Sequence, residues 1–251
     1  MSPSALIADD DEAPRAQLLT ALGTVWPELN VVAEATNGID AWDAFLEREP
    51  QVCFLDVRMP GLTGVEVAQR IGAQAHVVFV TGPRDHALAA FDAGGIDHLI
   101  KPVDAERLSP AVTRLKSRLA SEAGPSSDLR GLLDRLAGQI RRPAHLEFIP
   151  AGAGHDPQLI PVDHVVYLEA DVRHTRVVHT RGETPMRLPL KELLGQLDPD
   201  RFWQIHRSVI VNRAHIAGAL RDADGNMVVT LRERGETLPV SRHFRALFDV
   251  Q

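Results

Sequence analysis

Apolar residues fall into two different rhythms along this chain. In the first half, short runs recur at "ALIA" (5–8), "NVVAEA" (30–35), "VCFL" (52–55), "HVVFV" (76–80) and "GIDHLI" (95–100). They are rich in Val and Ile and bounded by turn residues or acids, which predicts strands buried on both faces. Between them the period lengthens. Residues 13–25 place Ala16, Leu19 and Leu22 on one helical face. Residues 38–48 do the same with Ile39, Trp42, Phe45 and Leu46. A last helix is expected over roughly 104–120. Five β-α repeats of this kind predict a parallel sheet with right-handed crossovers, an α/β domain over 1–120.

Residues 121–127, "SEAGPSS", break the pattern and read as a linker. A short amphipathic helix is expected at 128–140, where Leu129, Leu132, Leu136 and Ile140 lie on nearly one stripe, so that 121–144 connects two domains. From about 145 to 251 the rhythm shortens to alternating apolar and polar positions. "HLEFI", "QLIPV", "HVVYLEA", "HTRVVHT", "FWQIH", "VIVN", "NMVVTL" and "ETLPV" predict a mostly antiparallel β domain. Only 189–197 and 241–248 look helical there.

Charge changes the picture only when the chain is divided. The net charge is −7 over 251 residues. Residues 1–120 hold 10 basic and 17 acidic side chains, whereas 121–251 hold 17 of each and eight of the 11 histidines. The acidity therefore belongs to the first domain. Within 173–245 there are 13 basic against 8 acidic residues, a local positive excess suited to a polyanion or to a solvated surface. No uncharged apolar stretch reaches the ~18–20 residues of a membrane span, so no membrane partner is expected. The N-terminus lacks a basic n-region, and Cys53 is the single cysteine. A reducing, cytoplasmic location is the expectation.

In an open parallel sheet, ligands bind beyond the C-terminal strand ends. Asp9, Asp10 and Asp11 follow the first strand, Asp56 the third, Thr81 the fourth and Lys101 the fifth. Taken singly, the acids read as helix caps or turn residues and Lys101 as a solvated lysine. Taken together, they form a pocket. Clustered carboxylates suit Mg²⁺, with Asp10 as the first direct ligand and Asp9 or Asp11 beside it. Asp56 is the candidate nucleophile for an acyl phosphate, with Thr81 and Lys101 contacting the phosphoryl oxygens.

The motifs "IADDDE", "FLDVRMPG", "FVTG" and "LIKP" resemble those of receiver domains in bacterial two-component response regulators. The resemblance implies a flavodoxin-like, doubly wound fold and phosphate transfer from a sensor histidine kinase to Asp56. It implies a cytoplasmic regulator rather than an enzyme, since a receiver catalyses only its own phosphorylation and dephosphorylation. It also implies the Arg58 backbone carbonyl as a metal ligand beside Asp56, a cis Lys101-Pro102 bond, and Thr81 with position 98 as the switch. Here position 98 is His98 where an aromatic residue is usual, and Gly82 replaces a common alanine.

In the second domain, "VVYLEADVRHTRVVHT", "LKELLGQLDPDRFWQIHRSVIVN" and "LPVSRHFRALF" resemble the LytTR DNA-binding domain. That resemblance implies loops, rather than a recognition helix, entering the grooves of double-stranded promoter DNA. By matching position the DNA-contacting places are Arg173, His174 or Thr175 in the 171–176 loop, His206 with Arg207, and Ser241 with Arg242. Asn212 reads as structural first, and Trp203, Ile205, Val209 and Val211 as core. The combined expectation is a phosphorylation-dependent, dimerising transcriptional regulator. Its rivals are a phosphate-independent DNA-binding regulator and a receiver with a protein-interaction output. A haloacid-type phosphatase would need a D-x-D motif, and position 58 is Arg.

Overall fold

The computed structural model describes residues 2–82, 97–120, 145–152, 158–172, 174–232 and 234–248. The expected helix at 128–140 and Arg173 lie outside them. The chain divides into two compact units, 1–142 and 143–251, which are taken separately.

In the first unit, five strands run parallel in the order β2-β1-β3-β4-β5: β1 (Ser4–Ala8), β2 (Asn30–Ala35), β3 (Val52–Asp56), β4 (His76–Thr81) and β5 (Asp97–Ile100). Around them lie α1 (Glu12–Val25), α2 (Gly38–Arg48), α3 (Gly64–Ile71) and α4 (Ala105–Ala120). β3 and β4 are buried throughout, as continuous apolar runs require of strands covered on both sides. β2 is the exception: it lies at the sheet edge, and only its Ala35 is buried.

Alternate residues of each strand serve opposite faces. Ile7, Phe54, Val78, Val80 and Leu99 pack with Leu18 and Leu22 of α1 and Leu108, Val112 and Leu115 of α4. Full burial of such side chains contributes about 1.5–3 kcal/mol each. The α1 stripe differs from the expected one. Leu18, Ala21 and Leu22 are its buried residues, and Ala16 faces solvent. The larger leucines win the sheet-facing position. In α2 the expected Trp42 and Phe45 are buried, their rings stacked with centroids 5.5 Å apart.

The second unit is mostly antiparallel β. A five-stranded sheet has the order β10-β9-β8-β12-β11, built from β8 (Val165–Ala170), β9 (Thr175–His179), β10 (Gly182–Met186), β11 (Phe202–His206) and β12 (Val209–Asn212). A second sheet joins β13 (Ile216–Arg221), β14 (Met227–Leu231) and β15 (Thr237–Pro239), and β6 (Phe148–Ala151) pairs with β7 (Gln158–Pro161). α5 spans Leu190–Leu194, and Arg242–Leu247 form a 3-10 helix. Two strands escaped the sequence pattern. β10 is an edge strand containing Pro185, with only Met186 buried, and β13 buries none of its residues fully. Neither presents an apolar face to read. Ile205, Val209 and Val211 are fully buried, whereas Trp203 is half-buried under the Arg213 guanidinium.

Candidate functional sites

The first site follows from strand register. Ala8 pairs with Leu55, Asp56 with Val80, and Thr81 with Ile100, so the residues that end these strands share one edge of the sheet. Asp9 and Asp56 are buried there, 2% and 6% exposed. Lys101 Nζ lies between them, 2.7 Å from Asp9 Oδ2 and 2.9 Å from Asp56 Oδ2. The Lys101 backbone N–H donates to the Thr81 carbonyl at 2.8 Å, and the Lys101-Pro102 bond is cis. One carboxylate oxygen from each of Asp9, Asp10 and Asp56 lies within 4.8 Å of the others.

Burial pushes the Asp56 carboxyl above its ordinary range, and the hydrogen bond and charge of Lys101 only partly oppose this. For Lys101 burial acts against the ammonium. The hydrogen bonds and charges of Asp56 and Asp9 together outweigh it, so its pKa is raised. The pocket thus holds a fixed cation against a carboxylate that burial makes costly to ionise.

Asp11 takes a different place. Its side chain accepts from the Ala13 backbone N–H at 3.2 Å and caps α1, outside the three-carboxylate group. Of Asp9 and Asp11, only Asp9 groups with Asp10 and Asp56. Thr81 is buried at the end of β4, and its hydroxyl donates to the Gly82 carbonyl at 3.0 Å. Arg58 is exposed, and its backbone N–H points back to Asp56 Oδ1 at 3.3 Å. His98 pairs with Phe79 across β4 and β5 and is half-buried.

The loop after Asp56 is shaped by two glycines that sequence reasoning did not single out for the pocket. Gly61 has φ +79°, the left-handed conformation that closes the Pro60-Gly61 turn. Gly64 opens α3 directly behind the site, where an added Cβ would lie 1.9 Å from the Asp56 carbonyl oxygen. No side chain fits without moving backbone. Gly64→Ala is expected to cost about 1–3 kcal/mol, as overpacking does, read as a lower midpoint in thermal or urea unfolding.

The second site is at one end of the five-stranded sheet. The Ala170 N–H donates to the Ser208 carbonyl at 2.8 Å, and the Ser241 N–H to the Ile205 carbonyl at 2.9 Å. Three segments distant in sequence, around 171–174, 206–208 and 241–242, are thereby tied together. Arg207 and Arg242 are exposed, and Val172 is 94% exposed. His174 Nε2 is 3.5 Å from Asp171 Oδ2. His206 Nδ1 lies 2.7 Å from Ser208 Oγ.

Thr175 departs from its expected role. It is 1% exposed, and its hydroxyl donates to the Leu188 carbonyl at 2.7 Å, so it cannot present that group to a ligand. Asn212 is structural: it is buried, donates to the Val165 carbonyl at 2.8 Å and accepts from the Ala214 N–H at 3.0 Å. The arginines also divide. Arg176 is held by Glu169 and Glu183 and lies over the Tyr167 ring, and the hydrogen bond to Glu169 raises its pKa further. Arg201 pairs with Asp163 and Arg234 with Glu236. The local positive excess is therefore concentrated in fewer side chains than the count implied. No helix among the described residues is long and apolar enough to cross a membrane.

Comparison with known proteins agrees with both halves. Residues 5–113 match the response regulator receiver domain, and residues 158–250 match the LytTr DNA-binding domain. An uncharacterized response regulatory protein of Vibrio cholerae is 38% identical over 256 residues, covering 98% of this chain and 97% of that one. The positive alginate biosynthesis regulatory protein of Pseudomonas aeruginosa is 30% identical over 94% of both chains. Among solved structures, the receiver domain of AraT from Geobacillus stearothermophilus aligns at 28% identity and a TM-score of 0.45, covering 49% of this chain and 98% of that one. With its receiver and DNA-binding domains in this order, and relatives aligned along nearly its whole length, the chain belongs to the response regulators of LytTR type.

Proposed function

We propose that this protein is a cytoplasmic transcriptional regulator whose Asp56 accepts a phosphoryl group from a sensor histidine kinase, and that phosphorylation favours a dimer binding double-stranded promoter DNA. The observation that carries the proposal is the buried Asp9–Lys101–Asp56 cluster at the sheet edge. An Asp56 carboxylate oxygen attacks phosphorus, the donor's P–N bond breaks, and an acyl phosphate forms. Lys101 already hydrogen-bonds Asp56 and supplies a positive charge to the incoming oxygens. Thr81 turns its hydroxyl from the Gly82 carbonyl to a phosphoryl oxygen. The protein is no enzyme beyond this self-directed chemistry.

The donor set fits Mg²⁺, since three carboxylates at this spacing are hard oxygen ligands with room for waters. Asp10, Asp56 and Asp9 would hold it, with the Arg58 carbonyl as a further ligand. Bound there, the ion would neutralise charge on the transferring group. Millimolar Mg²⁺ is expected to stabilise the unmodified protein, by about 2.7 kcal/mol at a hundredfold excess over Kd, read as a rise in its thermal midpoint. Asp10→Asn should lose that rise, and a rise of equal size in the variant would remove Asp10 from the site.

Phosphate changes DNA binding only if it favours the binding form over the other. Duplex affinity of the full chain, before and after treatment with a small phosphodonor and Mg²⁺, tests this; unchanged affinity overturns phosphate control. A second reading, a regulator that binds DNA without phosphate, draws on His98 at the position expected to relay the switch. That outcome would favour it.

A further inference from the structure

Given that the 206–208 end of the sheet meets DNA, as proposed above, we infer that His206 serves recognition through its Nδ1, as a positioning residue for Arg207, and not by touching the duplex. β11 ends at His206 and β12 begins at Val209, so Arg207 and Ser208 alone form the turn. Two groups of Ser208 converge on one ring nitrogen. Its backbone N–H lies 3.2 Å and its Oγ 2.7 Å from His206 Nδ1. A backbone N–H can only donate, so Nδ1 carries a lone pair and the ring is neutral, with its proton on Nε2.

The other side of the turn is also tied, because the Ser208 carbonyl accepts from the Ala170 N–H at 2.8 Å. The strand before it is held by the Ser241 N–H on the Ile205 carbonyl at 2.9 Å. Arg207 is thus the exposed residue of a two-residue turn whose other member is fixed by the ring and by β8. Fixing the backbone beneath a long side chain lowers the ordering cost of its contact. The surroundings keep the ring neutral: burial first, then the Arg207 charge, hold its pKa below the ordinary value, and Glu169 opposes them.

Two substitutions separate the ring nitrogens. Asparagine places an acceptor near the Nδ1 position, and glutamine places its amide near the Nε2 position. The probe is a duplex selected from random-sequence DNA by the unmodified full-length protein. His206→Asn should bind it within about twofold of the unmodified protein, and His206→Gln should lose about fivefold or more. In an Arg207→Ala background both changes should cost nothing further. Ser208→Ala, a change at the half-buried turn residue that removes one of the two bonds to Nδ1, should show a smaller loss that also vanishes in that background. The reverse pattern, with glutamine tolerated and asparagine not, would assign the ring a direct contact through Nε2. Additive losses would overturn coupling to Arg207. Unaltered binding by Arg207→Ala alone would overturn this inference, and unaltered binding by Arg242→Ala as well would overturn the DNA surface on which it rests, whereas a loss in Arg207→Ala with additive His206 effects leaves that surface standing. Thermal midpoints of each variant confirm that folded proteins are compared.

Discussion

Asp56→Ala is expected to abolish phosphoryl acceptance. With a small phosphodonor and Mg²⁺, the unmodified protein should gain the mass of one phosphoryl group, and the variant none. The effect is complete because the acceptor atom itself is removed. Under the proposal the neighbouring carboxylates hold the metal and do not accept phosphate. Asp9 bonds Lys101 at 2.7 Å and the Asp11 N–H at 3.0 Å, and Asp10 is exposed. The variant should also fold. Removing one partner of a buried ion pair is costly when it strands the other charge. Here Lys101 keeps Asp9, and the lost carboxylate is one that burial had made costly to ionise. Phosphodonor-dependent tightening on DNA should disappear in the same variant. A mass gain that persists in a folded Asp56→Ala protein would remove Asp56 as the acceptor.

Arg207→Ala and Arg242→Ala are each expected to weaken binding to a selected duplex by about 1–3 kcal/mol, roughly 5- to 150-fold. Both residues are exposed on segments that backbone hydrogen bonds bring to one end of the sheet. The form of the loss tells what each side chain meets. A base contact relaxes discrimination at one position of the site. A phosphate contact weakens all sequences evenly and lowers the salt slope by about one. Arg176→Ala is the internal control. Its guanidinium is committed to Glu169 and Glu183, so the change should lower stability more than DNA affinity. Salt-titrated binding of all three variants decides the matter, and unaltered binding by both Arg207→Ala and Arg242→Ala would refute the proposed surface.

The first unit was legible in outline because its chemistry lies at predictable places. Continuous runs such as "VCFL" mark strands covered on both faces, and a parallel arrangement puts their C-terminal residues on one edge. Asp9, Asp56, Thr81 and Lys101 could be named on that ground. Which of Asp9 and Asp11 stands beside Asp10 and Asp56 could not be read, since both sit in one acidic run and only the start of α1 makes Asp11 a cap. In the second unit, alternation revealed most strands but missed β10 and β13, which lack a buried face.

The sequence alone determined the order of elements and the residue types that end them. Periodicity and local turn chemistry depend on near neighbours, so both can be read along the chain. Only the tertiary structure decided which atoms meet. Lys101 reaches Asp56 across 45 positions of sequence, Arg176 meets its carboxylates, and Thr175 turns inward to the Leu188 carbonyl. Those partners are set by long-range register, in which a shift of one residue would turn Thr175 and Arg176 to the opposite faces of their sheet.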